Sequence, residues 1–358
     1  MAIDVQHNVQ IRGIACCVPA HVVEIDEFRQ ELGEAGLEKF KKTTGVKRKH
    51  CCRQDHIIAT SDLCCAAAEA LLSKQHVSRE SIDAVIFVTQ FPDYVQPATA
   101  CVLQHRLGLG EECLAFDINL GCSGYIYGLH LGAAYLQSGH LKRVLLLAGD
   151  ANGYTKPSAS MLFGEAGSAT LLERQEGAED MRFLLRTQGE GFRQIIMPYG
   201  GFRHGIGPKT ANTAEGRECF VSRMDGPEVF NFSIRQVPKL CRDYNAAFGC
   251  SASDFDLFVF HQANLLILQQ IIKRLKLPEE KCPVSLDIYG NTSSASIPLG
   301  ICDYFNRLAA KGDQKEEKKL YLCGFGIGLS LGITSFAIKR ADCLPVITTE
   351  EAYEDRVL

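Results

Sequence analysis

The chain of 358 residues has no tryptophan, and neither sign of charge dominates it: 38 Lys and Arg face 42 Asp and Glu, for a formal net charge of -4. That balance argues against a general nucleic-acid binder, which carries a strongly basic face. With 22% charged and 46% hydrophobic residues, the chain is also a poor match to intrinsic disorder. The start, MAIDVQHNVQIRG, lacks a basic segment followed by an apolar one, so no secretory leader is expected there. No CxxC pair occurs anywhere, which removes the commonest zinc spacing.

What the chain has in quantity is cysteine. Sixteen Cys in a long chain with ample core material are too sparse for a disulfide scaffold, which is short and dense in Cys. Reduced thiols in a cytoplasmic protein are expected. The cluster HCCRQDH (50–56) with Cys64 and Cys65 lacks chelating spacing, so no metal and no cofactor is expected. One uncharged run of nineteen residues, LYLCGFGIGLSLGITSFAI (320–338), approaches a membrane-spanning length. Its four glycines and its Ser and Thr residues make a poor helix. Two buried strands around a glycine turn are expected instead, and no membrane partner.

Apolar, β-rich runs alternate with helical patterns along the whole chain, which indicates α/β layers around a mostly parallel sheet. Strands are expected at Val9–Cys17, Ala84–Thr89, Leu114–Asn119, Val144–Ala148, Ser168–Leu172, Leu257–His261, Val284–Ile288, Tyr321–Gly324 and Ile333–Ile338. Helices are expected at Ser123–Gln137, Glu228–Phe248, Leu265–Leu275 and Ser296–Leu308. The two halves, roughly 1–175 and 176–358, also answer each other. SIDAVIFVTQ matches DFDLFVFHQ, KRVLLLAGD matches KKLYLCGFG, and GSATLLE matches GITSFAI. CLAFDINLGCSGYIYGLHLG matches CPVSLDIYGNTSSASIPLG, with Asp117 opposite Asp287 and Leu129 opposite Leu299.

Against this frame one cysteine stands out. Cys122 lies in DINLGCSGYIYGL, an apolar strand, a short turn and a helix start, where a helix N-terminus favours the thiolate. His261 ends the strand DLFVFHQ, and Asn291 lies one place before the repeat counterpart of Cys122. Taken singly, each has an ordinary structural reading: core filler, strand end and turn. The repeat brings all three to equivalent strand ends, where α/β folds gather a site. Together they supply a nucleophile and two hydrogen-bond donors.

The segments TTGVKRKH (43–50), QPATACVLQHRLGL (96–109), AFDINLGCSGYIYGLHLG (115–132), LFGEAGSATLL (162–172), MDGPEVFNF (224–232), FHQANLLIL (260–268), YGNTSSASIPLG (289–300) and GFGIGLSLG (324–332) resemble those of the β-ketoacyl-acyl carrier protein synthase III family of the thiolase superfamily. The resemblance implies an α/β, thiolase-like duplicated αβαβα five-layer fold and a homodimer. It implies that an acyl thioester, on CoA or a carrier, loads Cys122 and condenses with malonyl-acyl carrier protein by decarboxylative Claisen chemistry. The setting would be fatty-acid or specialised lipid or polyketide biosynthesis. His261 and Asn291 would stabilise the enolate, with the backbone N–H groups of Cys122 and Ile327 as the oxyanion hole. Lys273 and Arg274 would dock the acyl carrier protein, and Gln96 would gate the acyl pocket. A same-fold acyltransferase acting on an alcohol or amine without decarboxylation, or a non-catalytic partner subunit, are the rival readings.

The chain departs from the family in places. The family's CoA-holding Trp and Arg fall at Lys39 and Thr43, and a β-branched residue, Ile327, stands in its glycine turn. Basic positions of the docking face are Leu266 and Asn231 here. An unusual acyl donor is therefore expected.

Overall fold

The computed structural model describes residues 2–152, 161–205, 221–311 and 315–355. Two mixed sheets dominate it. The first has the order β15-β2-β8-β7-β5-β6, formed by Ile347–Thr349, Val9–Pro19, Ala166–Arg174, Arg143–Asp150, Ala84–Val88 and Leu114–Ile118. The second has the order β1-β9-β14-β13-β12, formed by Ala2–Gln6, Met181–Thr187, Ser330–Lys339, Glu317–Gly326 and Leu257–Phe260. Two small ribbons, β3 (Val22–Glu24) with β4 (Arg48–His50) and β10 (Ile195–Ile196) with β11 (Arg223–Met224), complete the strands described.

The strand order β2-β8-β7-β5 recurs as β9-β14-β13-β12, with the same parallel and antiparallel pairings. Details recur too. The Asp83 carboxylate accepts the N–H of Arg143 at the start of β7, and Asp256 accepts that of Lys319 in β13. The ladder registers place Ser168 opposite Gly332 in the repeat, so the expected match of Gly167 to Gly332 slips by one residue.

Side chains of the inner strands alternate between two cores, as a strand's period of two requires. Ala84, Ile86 and Val88 of β5 face a central core, while Val85 and Phe87 face an outer one. Leu257 and Val259 of β12 join the same central core, and Phe258 and Phe260 face a third. The central core lies between the sheets and holds α4 (Gly124–Gln137) and α8 (Ser296–Lys311). Outside the first sheet pack α2 (Thr60–Lys74) and α3 (Thr99–Arg106), and outside the second α5 (Gly226–Phe248) and α6 (Leu265–Leu275). The result is five layers, αβαβα, with α1 (Arg29–Thr44) beside α6. Leu129 and Leu299 are both fully buried in the middle layer. Each such aliphatic side chain contributes about 1.5–3 kcal/mol by leaving water.

The uncharged run 320–338 forms the β13–β14 hairpin, as expected, and no described helix is long and apolar enough to cross a membrane. One expected strand is absent. Val284–Ile288 holds instead the short helix α7 (Leu286–Tyr289). The Gln262 side chain accepts the Ser285 N–H (3.1 Å) and donates to the Pro283 carbonyl (3.4 Å), taking hydrogen bonds that a neighbouring strand would make.

Candidate active site

The turn after β6 delivers Cys122 to the foot of α4, one residue before the helix N-cap Ser123. Helix α4 lies so close to its sheet that a Cβ on Gly128 would sit 2.6 Å from Leu146. This fixes the height of the cysteine. From the other half, the β13–β14 turn reaches the same point: a Cβ on Gly326 would lie 2.7 Å from Cys122 Cβ and 3.0 Å from its Sγ. Gly326 has φ 154° and Gly328 φ 136°, whereas Ile327 between them stays out of the left-handed region, so its β-branched side chain is accommodated. The Ile327 N–H lies near enough to the Cys122 sulfur to favour its thiolate.

His261, 2% exposed, follows β12, and its Nδ1 lies 2.7 Å from Ser296 Oγ. Asn291, 5% exposed, follows α7. Its Oδ1 accepts the Ser293 N–H at 2.9 Å, which orients the amide so that Nδ2 donates to the Ala263 carbonyl at 3.3 Å. Ser293 joins the three expected residues. Its hydroxyl is 4.0 Å from Cys122 Sγ, its N–H holds Asn291, and its backbone carbonyl favours a proton on the His261 ring. It does this with φ 50°, a conformation that a non-glycine residue keeps only when its surroundings enforce it.

Under Ser293 lies Asp150, the last residue of β7 and 5% exposed. Its carboxylate accepts from Thr89 Oγ1 (3.1 Å), Gln90 N (2.8 Å), Ser294 N (3.2 Å) and Ser294 Oγ (2.9 Å). It ties the ends of β5 and β7 to the 293–295 turn of the other half. Burial raises the Asp150 carboxyl above the usual range, and these hydrogen bonds pull it back.

The electrostatics correct one expectation. Cys122 does sit at a helix start, yet burial pushes its thiol up to about 11, and the Asp150 charge adds to the push. The Ile327 N–H, Ser293 and its own N–H pull the other way without prevailing. Desolvation outweighs the helix end, so the resting side chain is a thiol. Burial likewise pushes His261 down to about 3, so its imidazole is neutral at physiological pH. A neutral imidazole has one nitrogen to take a proton and one to donate.

The other expected residues lie elsewhere. Lys273 and Arg274 are exposed in the last turn of α6, at the far end from Ala263 and the half-exposed Leu266 (38%). Gln96 is exposed in the 91–97 loop that leaves β5. Lys39 and Thr43 lie on α1, exposed and half-buried. Glu165 is buried and accepts the N–H groups of Cys52 (2.7 Å) and Asn152 (3.1 Å), a bracing role. All fifteen described cysteines are free thiols, and among the described residues no cluster of ligating side chains could hold a metal ion. A cavity of about 360 Å³ lined by Arg182, Tyr244, Asp254 and Lys319 contains none of the residues around Cys122.

Residues 116–189 match the family model for 3-oxoacyl-[acyl-carrier-protein] synthase III, and residues 246–338 match the model of its C-terminal part. The β-ketoacyl-[acyl-carrier-protein] synthase III of Syntrophomonas wolfei is 33% identical over 330 residues, covering 91% of this chain and 96% of that protein. The chain belongs to the 3-oxoacyl-[acyl-carrier-protein] synthase III family. The crystal structure of a 3-oxoacyl-(acyl-carrier protein) synthase from Burkholderia xenovorans superposes with a TM-score of 0.87 at 38% identity, covering 97% of this chain and 99% of that one. A synthase III from Pseudomonas aeruginosa gives 0.78 at 28% identity, covering 96% and 100%. The five-layer thiolase-like fold of the synthase III family is therefore the fold of this chain, and the chain is an enzyme of that family.

Proposed function

We propose that the protein loads an acyl thioester on Cys122 and condenses it with malonyl-acyl carrier protein, releasing CO₂, as a step of fatty-acid or related lipid biosynthesis. The observation that supports this most is the gathering of Cys122, His261 and Asn291 around Ser293. The names of the synthase III relatives supply the carrier-bound substrate.

In the first half-reaction the Cys122 sulfur attacks the acyl carbonyl, the acyl–sulfur bond of the donor breaks, and the Cys122 proton passes to the departing thiol of CoA or carrier. The N–H groups of Cys122 and Ile327 face the developing oxyanion. Thiol and imidazole both rest neutral, so the buried site holds no unpaired charge until substrate arrives. In the second half-reaction, loss of CO₂ from malonate leaves an enolate. We assign the Ser296 hydroxyl as donor to His261 Nδ1, which keeps the ring proton on Nε2 for the thioester oxygen. The Asn291 amide supplies the second donor, held in orientation by Ser293. Removing one such donor typically costs about 3–4 kcal/mol of barrier stabilisation. The carbanion then attacks the acyl group on Cys122, the acyl–Sγ bond breaks to release the 3-oxoacyl product, and the Cys122 thiolate regains a proton from water.

Lys273 and Arg274 are assigned to carrier docking, and Gln96 to the rim of the acyl pocket. The unpaired edge of β6, with Leu114 45% exposed, supports pairing of two copies into a homodimer. The halves 1–175 and 176–358 are read as duplicated units that exchange their terminal strands, β1 and β15. Incubation with carboxyl-labelled malonyl-carrier and an acyl thioester tests the reading. Labelled CO₂ and a 3-oxoacyl product are expected. Acyl transfer to a hydroxyl acceptor with malonate untouched would overturn it.

A further inference from the structure

The segment after β15 runs away from its own half and across the first one. Parallel pairing of β15 with β2 starts it, and the His56 ring meets the Glu350 carbonyl at 2.6 Å. The Tyr353 N–H then donates to Asp62 Oδ1 (3.2 Å), and the Tyr353 ring lies 4.3 Å from the Arg106 guanidinium. Arg106, only 10% exposed, is itself clamped to Asp62 (2.8 Å) and Ser61 (3.0 Å). Ser61 donates to Asp93 (2.7 Å), and the Tyr94 hydroxyl donates to Asp355. Residues 350–355 thus grip Tyr94 directly and Asp93 through Arg106 and Ser61.

Those two residues belong to the loop that leaves the active site. Its first residue, Gln90, is bonded to Asp150 through its N–H, and a Cβ on Gly121, next to Cys122, would meet the Gln90 side chain at 2.2 Å. Its tip, Val95 to Pro97, stands exposed, with Val95 100% exposed. The loop is therefore held at the nucleophile by Asp150 and at its middle by the strap. Family-model matches end at residue 338, so the strap lies outside the segment they cover.

We infer that residues 350–355 are a strap that fixes the 90–97 loop and so sets which acyl chains Cys122 accepts, with Tyr353 and its partner Arg106 as specificity-positioning residues. This rests on the acyl-loading reading above. The ring of Tyr353 covers the apolar face of a buried guanidinium that salt-bridges on its edge, which suits an aromatic and not an aliphatic side chain.

The test uses the full chain, a chain ending at Glu350, Tyr353→Ala and Tyr353→Phe. Two readouts are taken: amide exchange of 91–97, and the rates at which acyl thioesters of increasing length load Cys122. In Tyr353→Ala and the shortened chain, exchange in the loop should rise by about tenfold or more. The preference for the best acyl group over one four carbons longer should fall about fivefold, with Tyr353→Phe close to the unchanged chain. An unaltered length preference, with or without faster exchange or a lower melting temperature, would overturn the inference. Failure of the unchanged chain to load any acyl group would instead overturn the acyl reading and the specificity claim with it, while the exchange data would still report whether the strap holds the loop.

Discussion

The two halves of the molecule use one strand order for different tasks. In the first, β6 is a full strand and its exit turn presents a thiol at the foot of α4. In the second, the corresponding stretch forms α7, and its exit turn presents the Asn291 amide and the constrained Ser293. The neighbouring strand ends differ in the same way. Where β7 ends in the buried carboxylate of Asp150, β13 ends at the equivalent position in Gly326. One half supplies a negative charge that organises the other half's turn, and the other supplies empty space beside Cys122. A repeated frame thus fixes where groups arrive, and the residues at the strand ends decide what arrives.

Removing the group that one half alone supplies has the largest expected effect. Cys122→Ala should lose acyl loading and condensation by at least about a thousandfold, read by intact-protein mass and product formation. Filling the space that the other half leaves comes next. Gly326→Ala should cut turnover about tenfold or more by displacing Cys122, and lower stability by about 1–3 kcal/mol in denaturant titration. Exchanging the charge is subtler. Asp150→Asn should shift the alkylation midpoint of Cys122 downward by roughly one pH unit, because a neighbouring negative charge disfavours the thiolate. Ser294→Ala keeps that charge and should leave the midpoint in place; an equal shift in both would assign the effect to a loosened turn. The smallest effect belongs to a surface outside the site. Lys273→Glu with Arg274→Glu should raise KM for the carrier-bound substrate about two- to tenfold and leave kcat unchanged.

Much of this frame was legible in the sequence, because β5, β7, β12 and β13 are covered on both faces and read as unbroken apolar runs. The gathering of Cys122, His261 and Asn291 in one place was legible because the repeat aligned their strand ends. Helix α2 was harder: its Cys64, Cys65 and alanine run offers no polar stripe from which to count a period. The pattern VSLDI looked like a strand, but its hydrogen bonds go to the Gln262 side chain, a long-range partner that local periodicity does not reveal. Ser293 was hidden for a related reason, since its role lies in backbone groups and a φ angle. Asp150 had a usable signal in the alignment of KRVLLLAGD with KKLYLCGFG, which sets a carboxylate at the end of an apolar strand opposite a glycine of the active-site turn.

The central claim is that one half supplies the nucleophile and the other the decarboxylation donors. Its most direct test is Asn291→Ala, with acyl loading of Cys122 and CO₂ release from labelled malonyl-carrier measured on the same sample. Loading should remain within about threefold of the unchanged protein, while CO₂ release falls about a hundred- to a thousandfold. Equal loss of both activities, or CO₂ release that survives the substitution, would contradict the division of labour between the halves.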